Sequence, residues 1–182
     1  MSDNAIAGKT SWGDTGTALL LCIVALTVSL RFWGIASESI WYDESVSYYH
    51  LNASSPVTFL LKEWDLDPPM VPAYFLLEWF WAQLVGISPV AVRSLSVLLG
   101  TFTVAAVYFL GRRIQGKAAG LLSAACLAVC QNHIYYSQEI RMYALFDLLV
   151  AVSMLGLIAF RAVGKAFWFK VHLSPNLLLP LT

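Results

Sequence analysis

Two adjacent acids, Asp43 and Glu44 in the stretch Trp41-Tyr42-Asp43-Glu44-Ser45, follow closely on a long apolar run. A carboxylate held within hydrogen-bond reach of a hydroxyl, in a site that partly excludes water, can act as a general base. The spacing alone describes a solvated loop pair just as well. A second pair, Asp65 and Asp67, precedes Pro68-Pro69, whose rings fix the local backbone. Such a spacing suits a divalent metal ion, sugar hydroxyls or a plain turn. Three arginines, Arg31, Arg93 and Arg141, stand at or near the ends of apolar runs. Arginine grips phosphate through two parallel hydrogen bonds. Three near one membrane face therefore point to an anionic partner such as a lipid phosphate. Arg31 taken alone is explained by snorkelling to headgroups. Asp147 lies one helical turn beyond Tyr143, on the same face. An acid inside an apolar run is costly unless it is paired or faces a wet cavity. It is a functional candidate, with an interhelical hydrogen bond as the plainer reading.

Other reactive residue types carry less. His50, His133 and His172 lack metal-ligand spacing. Cys22, Cys126 and Cys130 all sit in apolar runs and read as small packing residues. Asn52-Ala53-Ser54 matches a glycosylation acceptor pattern, which matters only in a secretory compartment. No cofactor is implied with certainty; a divalent metal ion at Asp65, Asp67 or Asp147 is the one candidate.

The elements that must position these residues are apolar. The chain has 182 residues, 59% of them hydrophobic and only 12% charged. Its mean hydropathy is +0.69. A soluble domain is nearer half apolar and a quarter charged, so lipid is the expected solvent. Eleven basic residues balance eleven acidic ones, which leaves no basic face for nucleic acid. The sequence predicts an all-α membrane protein with four crossings, at about Thr17–Ile35, Ala91–Leu110, Ala118–Tyr135 and Tyr143–Phe160. Each is about the 20 residues that a hydrocarbon core requires. The first is expected to be a span and not a cleavable leader, because Lys9 is outweighed by Asp3 and Asp14 and the run is long enough to cross by itself. Val71–Gly86 is short, carries Glu78 and Gln83, and is dense in aromatics. It reads as a helix lying in the interface plane.

Charge sets the expected orientation. Arg112, Arg113 and Lys117 lie between the second and third crossings. Arg161, Lys165 and Lys170 follow the fourth. The positive-inside rule puts both groups in the cytoplasm, together with residues 1–16. The loop over residues 37–90 then lies outside. It holds Glu38, Asp43, Glu44, Glu63, Asp65, Asp67 and Glu78 against the single Lys62. Within it, helices are expected over Asp43–Asn52 and Pro56–Trp64, the second capped by Ser54 or Ser55. Residues 17–163 form one membrane module, and 164–182 read as a tail that stops short of another span.

The order of these pieces resembles a known family. Trp41-Tyr42-Asp43-Glu44-Ser45 is followed by Asp65-Leu66-Asp67-Pro68-Pro69, an aromatic helix, and Val92-Arg93-Ser94-Leu95-Ser96 opening the next span. Gly111-Arg112-Arg113 comes next, and then Ser137-Gln138-Glu139-Ile140-Arg141-Met142-Tyr143. Over about residues 17–160 the chain is similar to the GT-C-type membrane glycosyltransferases related to protein O-mannosyltransferases and aminoarabinose transferases. The resemblance implies an enzyme of the plasma (inner) membrane whose site faces the non-cytoplasmic side. It implies a polyprenyl-phosphate-linked sugar as donor, and as acceptor a hydroxyl on a protein, lipid or glycan. It places the catalytic carboxylate at Asp43, with Glu44 beside it. It makes Arg93 the lipid-phosphate ligand, helped by Arg141 and Tyr143; Arg31 joins the phosphate candidates from its place at the end of a span. Many relatives carry His where this chain has Asp67, and they are several hundred residues longer. An inactive fragment, a transporter subunit and a membrane scaffold are the rival expectations.

Overall fold

A computed structural model describes the backbone of residues 12–37, 39–66 and 72–173, and the side chains of 15–37, 39–65 and 72–161. The chain is an all-α membrane protein. Among the described residues there are eight helices: α1 (Trp12–Phe32), α2 (Tyr42–Tyr48), α3 (Pro56–Leu66), α4 (Pro72–Val85), α5 (Pro89–Gln115), α6 (Lys117–Ala128), α7 (Gln131–Tyr136) and α8 (Tyr143–Leu173). The expectations for Asp67, for the first eleven residues and for 174–182 lie outside the described residues.

The central strut is α5, which packs along α6, α8 and α1 and receives α4 near its start. Its N-terminus is well specified. Ser88 accepts a hydrogen bond from the Ala91 N–H, and Pro89 occupies the first turn, where its missing N–H costs nothing. At the far end Gly116 takes φ +87° and turns the chain directly into α6. Arg112 and Arg113 sit in the last turn of α5, where the helix dipole favours cations.

Three helices are long and apolar enough to cross a membrane: Thr15–Phe32, Pro89–Gln115 and Tyr143–Arg161. The single helix expected over Ala118–Tyr135 is not there. That stretch is α6 and α7, broken at Val129 and Cys130. The break is supported from elsewhere in the chain. The Arg31 guanidinium reaches over from α1 and donates to the Ala128 carbonyl at 3.2 Å, satisfying an acceptor freed by the break. The polar Gln131-Asn132-His133 follows at once. The pair still returns the chain from one end of α1 to the other. Lys117 lies against Gly16 at the start of α1, whereas Ser137 bonds Arg31 near its end.

The loop before α5 is built as a layer over this end of the bundle. Both helices expected in it are present, as α2 and α3. Ser55 caps α3, its hydroxyl accepting from the Thr58 N–H at 3.1 Å. Fourteen residues long, α4 measures about 21 Å, too short to span. Its aromatic residues act as clamps. Trp79 donates its indole N–H to Ala53 O, and Trp81 donates to Ala91 O and Ser94 Oγ. The layer shares one core with the bundle, in which Leu51, Phe59, Tyr74 and Phe75 meet Val92, Leu95 and Ile140.

Candidate active site

The site grows from one side of α2. Glu44 and Ser47 lie about one helical turn apart on α2 and both are buried, and the buried Leu51 follows in the turn beyond the helix. Asp43, next to Glu44, is turned off this face and stays half-buried. The two neighbouring acids therefore have different surroundings.

Glu44 has no solvent exposure. It is held by Arg93 in a two-pronged pair, Nε to Oε1 at 3.1 Å and Nη2 to Oε2 at 2.6 Å. Its Oε1 also accepts the Ile140 N–H at 2.9 Å. The remaining donors of Arg93 bond the Ile35 and Ser39 carbonyls. Three segments distant in sequence are thereby tied together: the end of α1, the start of α5 and the loop 137–142. A buried charge pair is tolerated only when such extra bonds satisfy its remaining atoms.

That loop is the second half of the site. Ser96 donates to Glu139 O at 2.5 Å. Gln138 donates its amide to Arg31 O and Trp33 O. Arg141, 7% exposed, donates to the Asp43 carbonyl at 3.3 Å. Tyr143 stands just beyond, its ring 4.8 Å from that of Tyr136. From Met142 onward the first turns of α8 line an apolar groove of about 370 Å³, formed by Met142, Tyr143, Leu145, Phe146 and Leu149.

Asp43, Glu44, Arg93 and Arg141 thus come together, while Tyr143 stands two residues beyond Arg141 against Tyr136 and the apolar groove. Arg31 does not join them directly. It is fully buried, and its guanidinium bonds Thr27 O, Ala128 O, Ser137 Oγ and His133 Nδ1. Because arginine only donates, His133 must accept at Nδ1 and carry its proton on Nε2. That nitrogen faces Asp147 at 3.9 Å. Asp147 therefore belongs with the Arg31 cluster. Asp65 is exposed at the end of α3. Among the described residues no group of three or more His, Cys, Asp or Glu is placed to hold a metal ion.

Sequence reasoning passed over several buried polar residues here. Glu63 is buried and bonds His50 at 2.9 Å. Glu78 is buried in α4, and neither carboxyl oxygen finds a hydrogen-bond partner. Glu139 is buried beside the Glu44–Arg93 pair, again with neither oxygen bonded in standard geometry. Burial raises its carboxyl pKa; the Tyr135 phenol and Arg141 work against that, and Glu44 and Asp43 add to it. The signal was available in part. An acid two residues from an arginine in a short loop is unusual in a chain so poor in charge.

Residues 67–173 match the sequence profile of the dolichyl-phosphate-mannose-protein mannosyltransferase family. The match is more than half of the 182 residues. It takes in Arg93, the loop 137–142 and the start of α8, while Asp43 and Glu44 lie upstream of it. No curated protein and no solved structure gives a significant match. With the profile spanning the strut, the site loop and the last long helix, the chain belongs to the dolichyl-phosphate-mannose-protein mannosyltransferase family of membrane glycosyltransferases.

Proposed function

We propose that this module transfers a sugar from a polyprenyl-phosphate donor to a hydroxyl of a protein, lipid or glycan acceptor, at the non-cytoplasmic face of the plasma (inner) membrane. One observation carries the reading. Arg141 donates to the Asp43 backbone carbonyl, and an apolar groove begins at the next residue of the chain, Met142. A cation for the phosphate, a path for the lipid tail and a carboxylate for the acceptor then fall within the loop 137–142, the first turns of α8 and the short helix α2.

In this mechanism the Asp43 carboxylate takes the proton of the acceptor hydroxyl. The acceptor oxygen attacks the anomeric carbon from the face opposite the phosphate. The bond from that carbon to the phosphate oxygen breaks, and the phosphate leaves with the electron pair. Arg141 meets the developing charge, assisted by Tyr143. A positioned cation of this kind is worth about 10²–10³ in rate. Arg93 adds positive potential from behind while its donors hold Glu44, so its part is to fix α2 and present Asp43. Arg31 braces the α6–α7 break.

The test is transfer from dolichyl-phosphate mannose by the purified protein in lipid. Asp43→Asn is expected to lower turnover by about 10²–10⁴ and to leave the thermal unfolding midpoint unchanged. Full turnover in Asp43→Asn would remove Asp43 from the chemistry.

A further inference from the structure

We propose that Trp41, Tyr135 and Glu139 form the subsite for the transferred sugar, with the Glu139 carboxylate accepting hydrogen bonds from its ring hydroxyls. The proposal rests on the transfer reading above and deepens it.

Glu139 is 4% exposed, and neither of its oxygens makes a hydrogen bond of standard geometry, the Tyr135 phenol being a neighbouring donor. A buried acceptor left unbonded is costly, and a guest that brings donors recovers that cost. Two acceptor oxygens side by side match a pair of neighbouring hydroxyls, the commonest donor arrangement on a sugar. The cleft around Glu139 is completed by Gly34, Ile35, Trp41, Tyr135, Gln138 and the Glu44–Arg93 pair. Its enclosed part is about 10 Å³, the room of one water. A sugar ring therefore lies across the mouth and dips its hydroxyls inward. The rim suits that pose. Trp41 and Tyr135 are 45% and 43% exposed, so each offers an aromatic surface to the apolar C–H face of a ring. Few residue types other than aromatics provide such an area with so little side-chain freedom to lose.

Charge agrees with a neutral, hydroxyl-bearing guest. Glu139 is faced by Asp43 and Glu44 from α2, Tyr135 from α7, and Arg141 from its own loop. Arg93 lies in the same cleft, bound to Glu44. A phosphate placed directly against Glu139 would meet three carboxyl groups. A sugar placed there leaves its phosphate on the Arg141 side, over the groove.

The experiment compares dolichyl-phosphate mannose with its monodeoxy analogues as donors, in wild type and in Glu139→Gln and Glu139→Ala. A site built to bond a hydroxyl rejects the analogue lacking it by a large factor. Wild type is expected to disfavour at least one analogue by about 10²-fold in kcat/KM or more. Both variants should collapse that ratio towards one. Trp41→Ala should raise the KM for the donor while leaving inhibition by sugar-free dolichyl phosphate unchanged. A merely structural Glu139 would slow all donors alike, and that outcome overturns the proposal while leaving the transfer reading intact. Equal loss of donor and sugar-free lipid binding in Trp41→Ala would also count against it. A wild-type protein that transfers nothing would sink the transfer reading and this subsite with it.

Discussion

Glu78 shows how much chemistry rests on single buried side chains. It is fully buried, and burial raises its carboxyl pKa well above the ordinary 4.5. Glu63 on α3 and Glu44 on α2 push the same way, while Ser47 on α2 and Arg141 oppose them; Tyr74 shares its helix and its surroundings. The sign of the effect on stability follows. A carboxyl whose pKa is higher folded than unfolded keeps its proton in the folded state and loses it in the unfolded one. The stability it contributes is complete below about pH 4.5 and is lost as pH rises towards the folded-state value. Glu78→Gln keeps the shape and cannot ionise. Its unfolding midpoint is therefore expected to move above that of wild type as pH rises from 5 to 8, by about 2–4 °C for each kcal/mol of linkage. Thermal unfolding in detergent at both pH values checks this; a gap that does not change with pH means Glu78 is not held neutral. The same residues explain what the sequence hid. The buried face of α2 is Glu44 and Ser47, so a search for apolar periodicity finds no face there, and Asp43 and Glu44 look interchangeable. Only the reach of Arg93 and the Ile140 N–H separates them.

Among the elements, α5 and α6 depend most on close approach. A Cβ at Gly120 would stand 2.5 Å from Tyr108 O and 3.0 Å from Arg112 N. Both are backbone atoms of α5 and cannot swing aside. Small residues at such contacts are how helices pack in lipid. Gly120→Ala is expected to cost about 1–3 kcal/mol, read as a lowered unfolding midpoint. Gly156→Ala is the control, since nothing lies within 4 Å of the Cβ it would gain on α8. An equal shift for both would mean that helix propensity, not packing, decides the effect. The long elements were legible because an apolar run of about 20 residues has few alternatives in a membrane protein. The first, second and fourth crossings were found that way. The third was misread because averaged hydropathy runs on through Val129 and Cys130. The break there is held by Arg31, 97 positions away in sequence, and no local pattern carries that information.

For the molecule as a whole, α5 is a ruler laid across the bilayer. Arg93 and Arg113 stand 20 residues apart on it, about 30 Å at the helical rise, which is the thickness of the hydrocarbon core. The site layer of α2, α3 and α4 is therefore at one surface, and the Arg112–Arg113 turn at the other. The broken pair α6–α7 restores the parity that three continuous helices would not give, since Ser137 and Gln138 come back to the Arg31 end. Position and sidedness are separate matters. Geometry puts Asp43 and Arg113 towards opposite ends of α5; the preference of short, basic turns for the cytoplasm is what supports the proposed orientation, with the site outside. The assignment is testable after replacing Cys22, Cys126 and Cys130, all of them exposed. Tyr49, 73% exposed on the site layer, becomes one single-cysteine probe, and Gln115, exposed at the basic turn, the other. Tyr49→Cys is expected to react with an impermeant maleimide on intact cells, and Gln115→Cys only after the membrane is opened. Reversed labelling would turn the enzyme over and move its chemistry to the cytoplasmic side. Labelling of both from one side would break the ruler itself, because no straight helix of this length can start and end at the same surface.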